Sequence, residues 1–145
     1  MLPFLALPER AHAAPPPATE AAVVGDWLTE KKDGVVTIAP CGDAICGEIS
    51  GILHFGPDGA PPHDSTGVSE CHLRIIRDMR PGDDGILHGT VTDPHDGDVY
   101  HAKLRVAPDG TLRLRGYIAL PLFGSTQTWT HFSGKLQPDC HFSVP

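Results

Sequence analysis

The sequence predicts an all-β protein, a single antiparallel up-and-down β-barrel of about eight short strands. Three observations carry this reading. The dipeptide Asp-Gly recurs at Asp33-Gly34, Asp58-Gly59, Asp84-Gly85, Asp96-Gly97 and Asp109-Gly110. Apolar and polar residues alternate with period two between these points, and no window shows a helical period. Asp-Gly is a hairpin signal because a type I′ turn needs positive φ at both central residues, which Asp tolerates and Gly adopts freely. Together with a turn at Cys41-Gly42-Asp43-Ala44 and the stretch from Pro121 to Gly124, these make seven turns between eight strands.

The first strand opens at Gly25-Asp26-Trp27-Leu28, and the second runs from Val35 to Ile38. Ile45 to Leu53 follow as the third. The segment from His54 to Glu70 carries Pro57, Pro61 and Pro62 and is too long for a simple hairpin, so it reads equally as a lid at a barrel mouth or as an insertion. Leu73 to Ile76 and Ile86 to Val91 form the fourth and fifth strands. In the sixth, Val99 to Val106, Tyr100, Ala102, Leu104 and Val106 share one face and Val99, His101, Lys103 and Arg105 the other. In the seventh, Thr111 to Ile118, Leu112, Leu114 and Ile118 face inward while Arg113 and Arg115 face water. Thr126 to Phe132 complete the set. Consecutive hairpins give a meander, and closure removes its exposed edges.

A chain of 145 residues fits one domain. We place the barrel at residues 21–137, with a leading segment 1–20 and a C-terminal tail 138–145. Residues Met1 to Leu7 are apolar and lead to Ala11-His12-Ala13-Ala14, a small-x-small pattern like a secretory cleavage site, although a charged n-region is missing. Segment 1–20 is therefore either a clipped signal peptide or a disordered tail. Pro15-Pro16-Pro17 resembles the start of a mature chain and favours the first. No run approaches the roughly 20 apolar residues of a membrane span. A formal charge of −7 argues against counterion-release binding to nucleic acid and against anionic membrane surfaces.

The even count of four cysteines, Cys41, Cys46, Cys71 and Cys140, is compatible with two disulfides in an exported protein. Three connectivities are possible. A hairpin loop from Gly42 to Ile45 would set Cys41 opposite Cys46 at about the 5.5 Å a disulfide needs, and Cys71 with Cys140 then follows by elimination.

Catalytic constellations are absent from the pattern. There is no His-Glu-x-x-His, Gly-x-Ser-x-Gly, phosphate loop or dinucleotide fingerprint, so neither an enzyme nor a cofactor is expected. Among nine histidines, His63-Asp64, joined by His54 or His72, is the best fragment of a metal site. Asp93, Asp96 and Asp98 read as turn residues rather than Ca²⁺ ligands. Counting back from Asp96-Gly97 puts His88 opposite Arg105 and His101 opposite Thr92.

Gly25-Asp26-Trp27 resembles the Gly-x-Trp signature that opens calycin barrels, the group containing the lipocalins. Further segments stand in order: Ile38 to Gly47, Thr92 to Leu104, Leu114-Arg115-Gly116-Tyr117 and Phe123 to Thr130. Together they resemble the exported bacterial family known as domain of unknown function 2147 (DUF2147). The resemblance implies a calycin-like barrel in the periplasm or outside a Gram-negative cell, with no settled activity. It also implies that a late basic residue packs on Trp27 and closes one end, a place held here by His131.

A barrel of this size has room for packed side chains or for one small ligand. The expected inward residues are Ile49, Leu53, Leu73, Ile75, Leu87, Val91, Tyr100, Leu104, Leu112, Leu114 and Ile118. The expected function is binding of a small hydrophobic ligand, lipid or fatty-acyl in type, by Trp27, Leu53, Leu73, Leu87, Tyr100, Leu104, Leu112, Leu114 and Trp129. The alternative is a solid-core envelope protein that recognises a protein or glycan through residues 54–70.

Overall fold

The computed structural model describes residues 18–118 and 124–144, and the signal-like segment and most of the Pro121 to Gly124 stretch lie outside them. A six-residue helix, α1 (Ala18–Val23), precedes eight strands: β1 (Gly25–Leu28), β2 (Gly34–Cys41), β3 (Ala44–Ile52), β4 (Arg74–Pro81), β5 (Leu87–Thr92), β6 (Val99–Val106), β7 (Leu112–Tyr117) and β8 (Ser125–His131). Each strand pairs antiparallel with the next, and β8 returns to β1 through Trp27↔His131 and Leu28↔Thr130, which closes the barrel. The expected architecture is therefore the observed one.

The turns use Asp-Gly differently from a type I′ turn. At Asp58, Asp84, Asp96 and Asp109 the aspartate keeps negative φ and its Oδ1 accepts the backbone N–H two residues on, from Ala60, Ile86, Asp98 and Thr111 at 2.8–3.0 Å. Only the following glycine takes positive φ, from 76° at Gly85 to 84° at Gly110. This side-chain cap satisfies a turn amide and so fixes the bend. In the first hairpin Lys32, at φ 60°, takes the left-handed position in place of Gly34. Asp58-Gly59 bends the long β3–β4 connection and joins no two strands. Between β2 and β3 the turn is only Gly42-Asp43, since Cys41 pairs with Ala44, so Cys46 faces Ala39 instead of Cys41. The diagonal Cys41–Cys46 disulfide still forms across a Cα separation of 5.8 Å.

Side chains from the strands fill one half of the barrel. Trp27, Ile38, Ile76, Met79, Leu87, Leu104 and Leu112 are buried to under 2% exposure, with Val23 of α1 plugging that end. Helix α1 is the element that the sequence pattern missed, because six residues are too few to show a period. The Trp27 indole Nε1 donates to the Val23 carbonyl at 2.8 Å, so the plug is hydrogen-bonded to the first strand. His131 stacks on Trp27 with ring centroids 3.9 Å apart, in the place expected of the closing residue.

The register of β5 with β6 is two residues away from the expected one. His88 faces Lys103 and His101 faces Thr90, because the connecting loop spans residues 93–98 and is closed by Asp93 N–H to Asp98 O and Gly97 N–H to Asp93 O. A two-residue shift preserves the faces, so Ala102 and Leu104 are buried while Val99 is exposed, as the alternation requires. In β4, bulges break the alternation, and Ile75 and Ile76 are both buried.

Residues 138–144 do not hang free as a tail. Phe142 packs with Leu28, Val35 and Phe132 in a second apolar cluster on the outer face of β1 and β2. Ile52 N–H donates to Cys140 O at 2.7 Å, and the Cys71–Cys140 disulfide staples this segment to the end of the long loop. A Cβ on Gly51 would lie 2.9 Å from both Phe142 and Val35, so the close approach needs a residue without one.

Candidate functional site

The barrel half opposite α1 is hollow. A cavity of about 1000 Å³ runs from the floor of the filled half out between the loops at that end, near the top of the roughly 300–1,000 Å³ range of ligand pockets. Its wall follows from strand alternation: Val36, Ile75, Leu114 and Trp129 form the edge of the packed core that borders it, Ile49 and Val91 pack against them, and Tyr100 joins the lining. Gly116 continues the inward row after Leu112 and Leu114. Its absent side chain leaves space, since a Cβ there meets nothing closer than Val91 at 3.6 Å and Tyr100 at 3.7 Å.

Three of the nine expected ligand-binding residues, Tyr100, Leu114 and Trp129, line this cavity. Trp27, Leu87, Leu104 and Leu112 lie in the filled half, beneath it. Leu73 packs against the core without lining the cavity. Leu53 is 40% exposed where β3 ends, and Ile118 is 66% exposed at the rim, so neither faces inward as expected. Period-two alternation identifies the inward face but not the depth along the barrel, which depends on where the end plug sits. Gln127 is a lining residue within a strand that apolar periodicity could not find. Its Oε1 accepts the Trp129 Nε1 hydrogen at 2.9 Å, and this sets the indole against the wall.

Loops supply the mouth. The segment 54–73 folds on itself through Gly56 N–H to Ala60 O, Asp64 N–H to Val68 O and Glu70 N–H to Pro62 O, and it reaches the β5–β6 loop through Ser65 N–H to Pro94 O. Polar side chains from both loops ring the opening: His54, His63 and Glu70 from the first, Asp93 and His95 from the second, with Glu30, Lys31 and Asp33 from the β1–β2 turn. Partial burial raises the Glu70 carboxyl above the ordinary range, with nearby His95 opposing and Asp64 and Asp93 reinforcing that shift. Burial likewise pushes the Tyr100 phenol up, aided by Asp96, Asp98 and Asp93.

The His63-Asp64 fragment does not assemble as metal ligands. Asp64 is spent on its own turn, accepting from Thr66 Oγ1 at 2.7 Å and from the Thr66 and Val68 amides at 2.9 Å, and the Thr66 hydroxyl foremost holds its carboxyl below the usual range. His72 points away from the mouth and bonds Pro138 O at 2.8 Å. Among the described residues the one group of three donors close enough to share an ion is Cys71, His72 and Cys140, and two of these are joined as a disulfide, so no thiolate is available.

Residues 25–131 match the family model described as an uncharacterized protein conserved in bacteria, DUF2147. No curated protein matches the chain in sequence. Among solved structures it is similar to protein HP1028 from Helicobacter pylori, which is described as belonging to the lipocalin family. The TM-score is 0.60 at 16% identity, over 76% of this chain and 82% of that one. A likeness at that identity shows the fold alone: a lipocalin-like barrel.

Proposed function

The chain belongs to the DUF2147 family of uncharacterized bacterial proteins, and from that premise we propose that it binds a small hydrophobic ligand of lipid type in the hollow half of its barrel. One observation carries the reading: a cavity of about 1000 Å³ walled by Val36, Ile49, Ile75, Val91, Leu114 and Trp129 that opens between loops bearing polar side chains. A core needed merely for stability gains from being filled, because each void forfeits dispersion contacts. Here Trp27, Ile76, Met79, Leu87, Leu104 and Leu112 are buried together in one half, while the other holds the cavity. Binding without chemical conversion is part of the proposal, as is export to the periplasm or the medium, where two disulfides persist. The lipocalin-like fold of the H. pylori protein supports the same reading by analogy.

Native mass spectrometry of protein purified from a periplasmic extract, followed by organic extraction, tests it. A stoichiometric co-purifying lipid or metabolite is the expected result. A clean apo mass that does not shift on challenge with aliphatic compounds would overturn it.

A further inference from the structure

The cavity fixes where a ligand's apolar part sits, and the mouth decides what its polar end can be. Among the described lining residues, four carboxylates, Glu30, Asp33, Glu70 and Asp93, stand around the opening against one permanent cation, Lys31. Protonating His54, His63 and His95 as well would only bring the ring to neutrality, never to net positive charge. Low-dielectric walls focus such a field on whatever passes between them. Resting on the binding reading above, we infer that this site takes an amphipath with a cationic head, an aliphatic amine or quaternary ammonium, and excludes free fatty acids.

Glu70 is the group we assign to the head. The other carboxylates are engaged: Glu30 accepts the Thr128 amide at 3.1 Å, Asp33 accepts the Thr29 hydroxyl at 2.9 Å, and Asp93 accepts from the amide and ring of His95 at 2.9 and 3.0 Å. The Glu70 carboxylate accepts no hydrogen bond from any described residue, although the side chain is partly buried; the only acceptor engaged is its backbone carbonyl, by the Leu73 amide at 3.1 Å. A half-buried carboxylate without a donor gains from a cation brought to it. Below it, Tyr100 and Trp129 line the wall, and aromatic faces also favour cationic over anionic groups. The alkyl tail then lies against Val36, Ile75 and Leu114.

The test holds the tail constant and varies the head. Dodecyltrimethylammonium, dodecanol and dodecanoate, each below its micelle concentration, are titrated into the apo protein and followed by calorimetry and Trp fluorescence. The expected order is ammonium, then alcohol, then carboxylate, with about tenfold between the extremes, narrowing at high salt and in Glu70→Gln. A thermal melt of that variant shows that it is folded. Binding of all three with equal affinity, or tighter binding of dodecanoate, overturns the head-group inference and leaves the binding function standing. Binding of none overturns both.

Discussion

Glu70 links stability and function at a single side chain. Its folded-state pKa is raised, chiefly by burial, so its ionised form costs stability: the folded protein is best off below the unfolded value and loses ground as pH rises through the folded one. Glu70→Gln removes that cost, so the variant is expected to melt at a higher temperature than the parent at pH 7, with the difference vanishing near pH 4. The comparison must be a difference between the two proteins. Asp64, Asp84 and Asp109 are held below the ordinary range, first by Thr66, His88 and Thr111 respectively, and their stabilisation is full above that range and lost as pH falls through their folded values. Both proteins therefore weaken in acid. A higher melting temperature for the parent at pH 7 would refute the assignment. Glu70 was not legible in the sequence as a site residue, because it meets Asp93 and His95 only when two loops far apart in the chain are brought to one rim. Trp27 and His131 were legible, because the resemblance names the Gly-x-Trp tryptophan and implies a late basic residue packed on it, at the place His131 holds.

At the scale of elements, hairpins were read from Asp-Gly and strands from alternation, and both readings fail where an element departs from its ideal. The positive φ of 57° at Asp78 and the bulges beside it end the visible alternation of β4 at Ile76, five residues before the strand ends. The C-terminal segment was unreadable because it adds no strand. Its apolar residues, Leu136, Phe142 and Val144, cover a second face of β1 and β2, which a one-faced strand pattern does not anticipate. Its anchorage can be measured. Replacing Cys71 and Cys140 together by Ser opens a loop closed across a sequence separation of 69 residues and is expected to cost about 2–4 kcal/mol in urea unfolding. Replacing Cys41 and Cys46 opens a separation of only 5 between strands already paired, and is expected to cost less. In the first variant, hydrogen exchange at the Ile52 amide, which donates to Cys140 O, should accelerate before that of β6. Equal costs for the two pairs would show that the C-terminal segment is held by its apolar contacts alone.

For the whole molecule, the division of the barrel into a filled and a hollow half implies opposite responses to opposite substitutions. Leu104 is fully buried in the filled half, so Leu104→Ala leaves a cavity in a packed region and should cost about 2–5 kcal/mol of stability. The amphipath preference of the mouth should survive wherever that variant remains folded. Gly116 faces the hollow half, where a Cβ makes ordinary contacts with Val91 and Tyr100. Gly116→Leu therefore adds apolar volume to empty space in a strand where glycine has no packing to lose. Its stability should stay within about 1 kcal/mol of the parent, the balance of added burial and modest crowding. Ligand binding should be lost. Paired urea melts and dodecyl-chain titrations decide the matter. If Gly116→Leu binds as the parent does, the void is not where the ligand sits. If it unfolds, the upper barrel is packed more tightly than an open cavity allows. Loss of binding with stability intact would mean that the space beyond Leu114 is kept empty for a guest, at the expense of packing that the chain could otherwise have made.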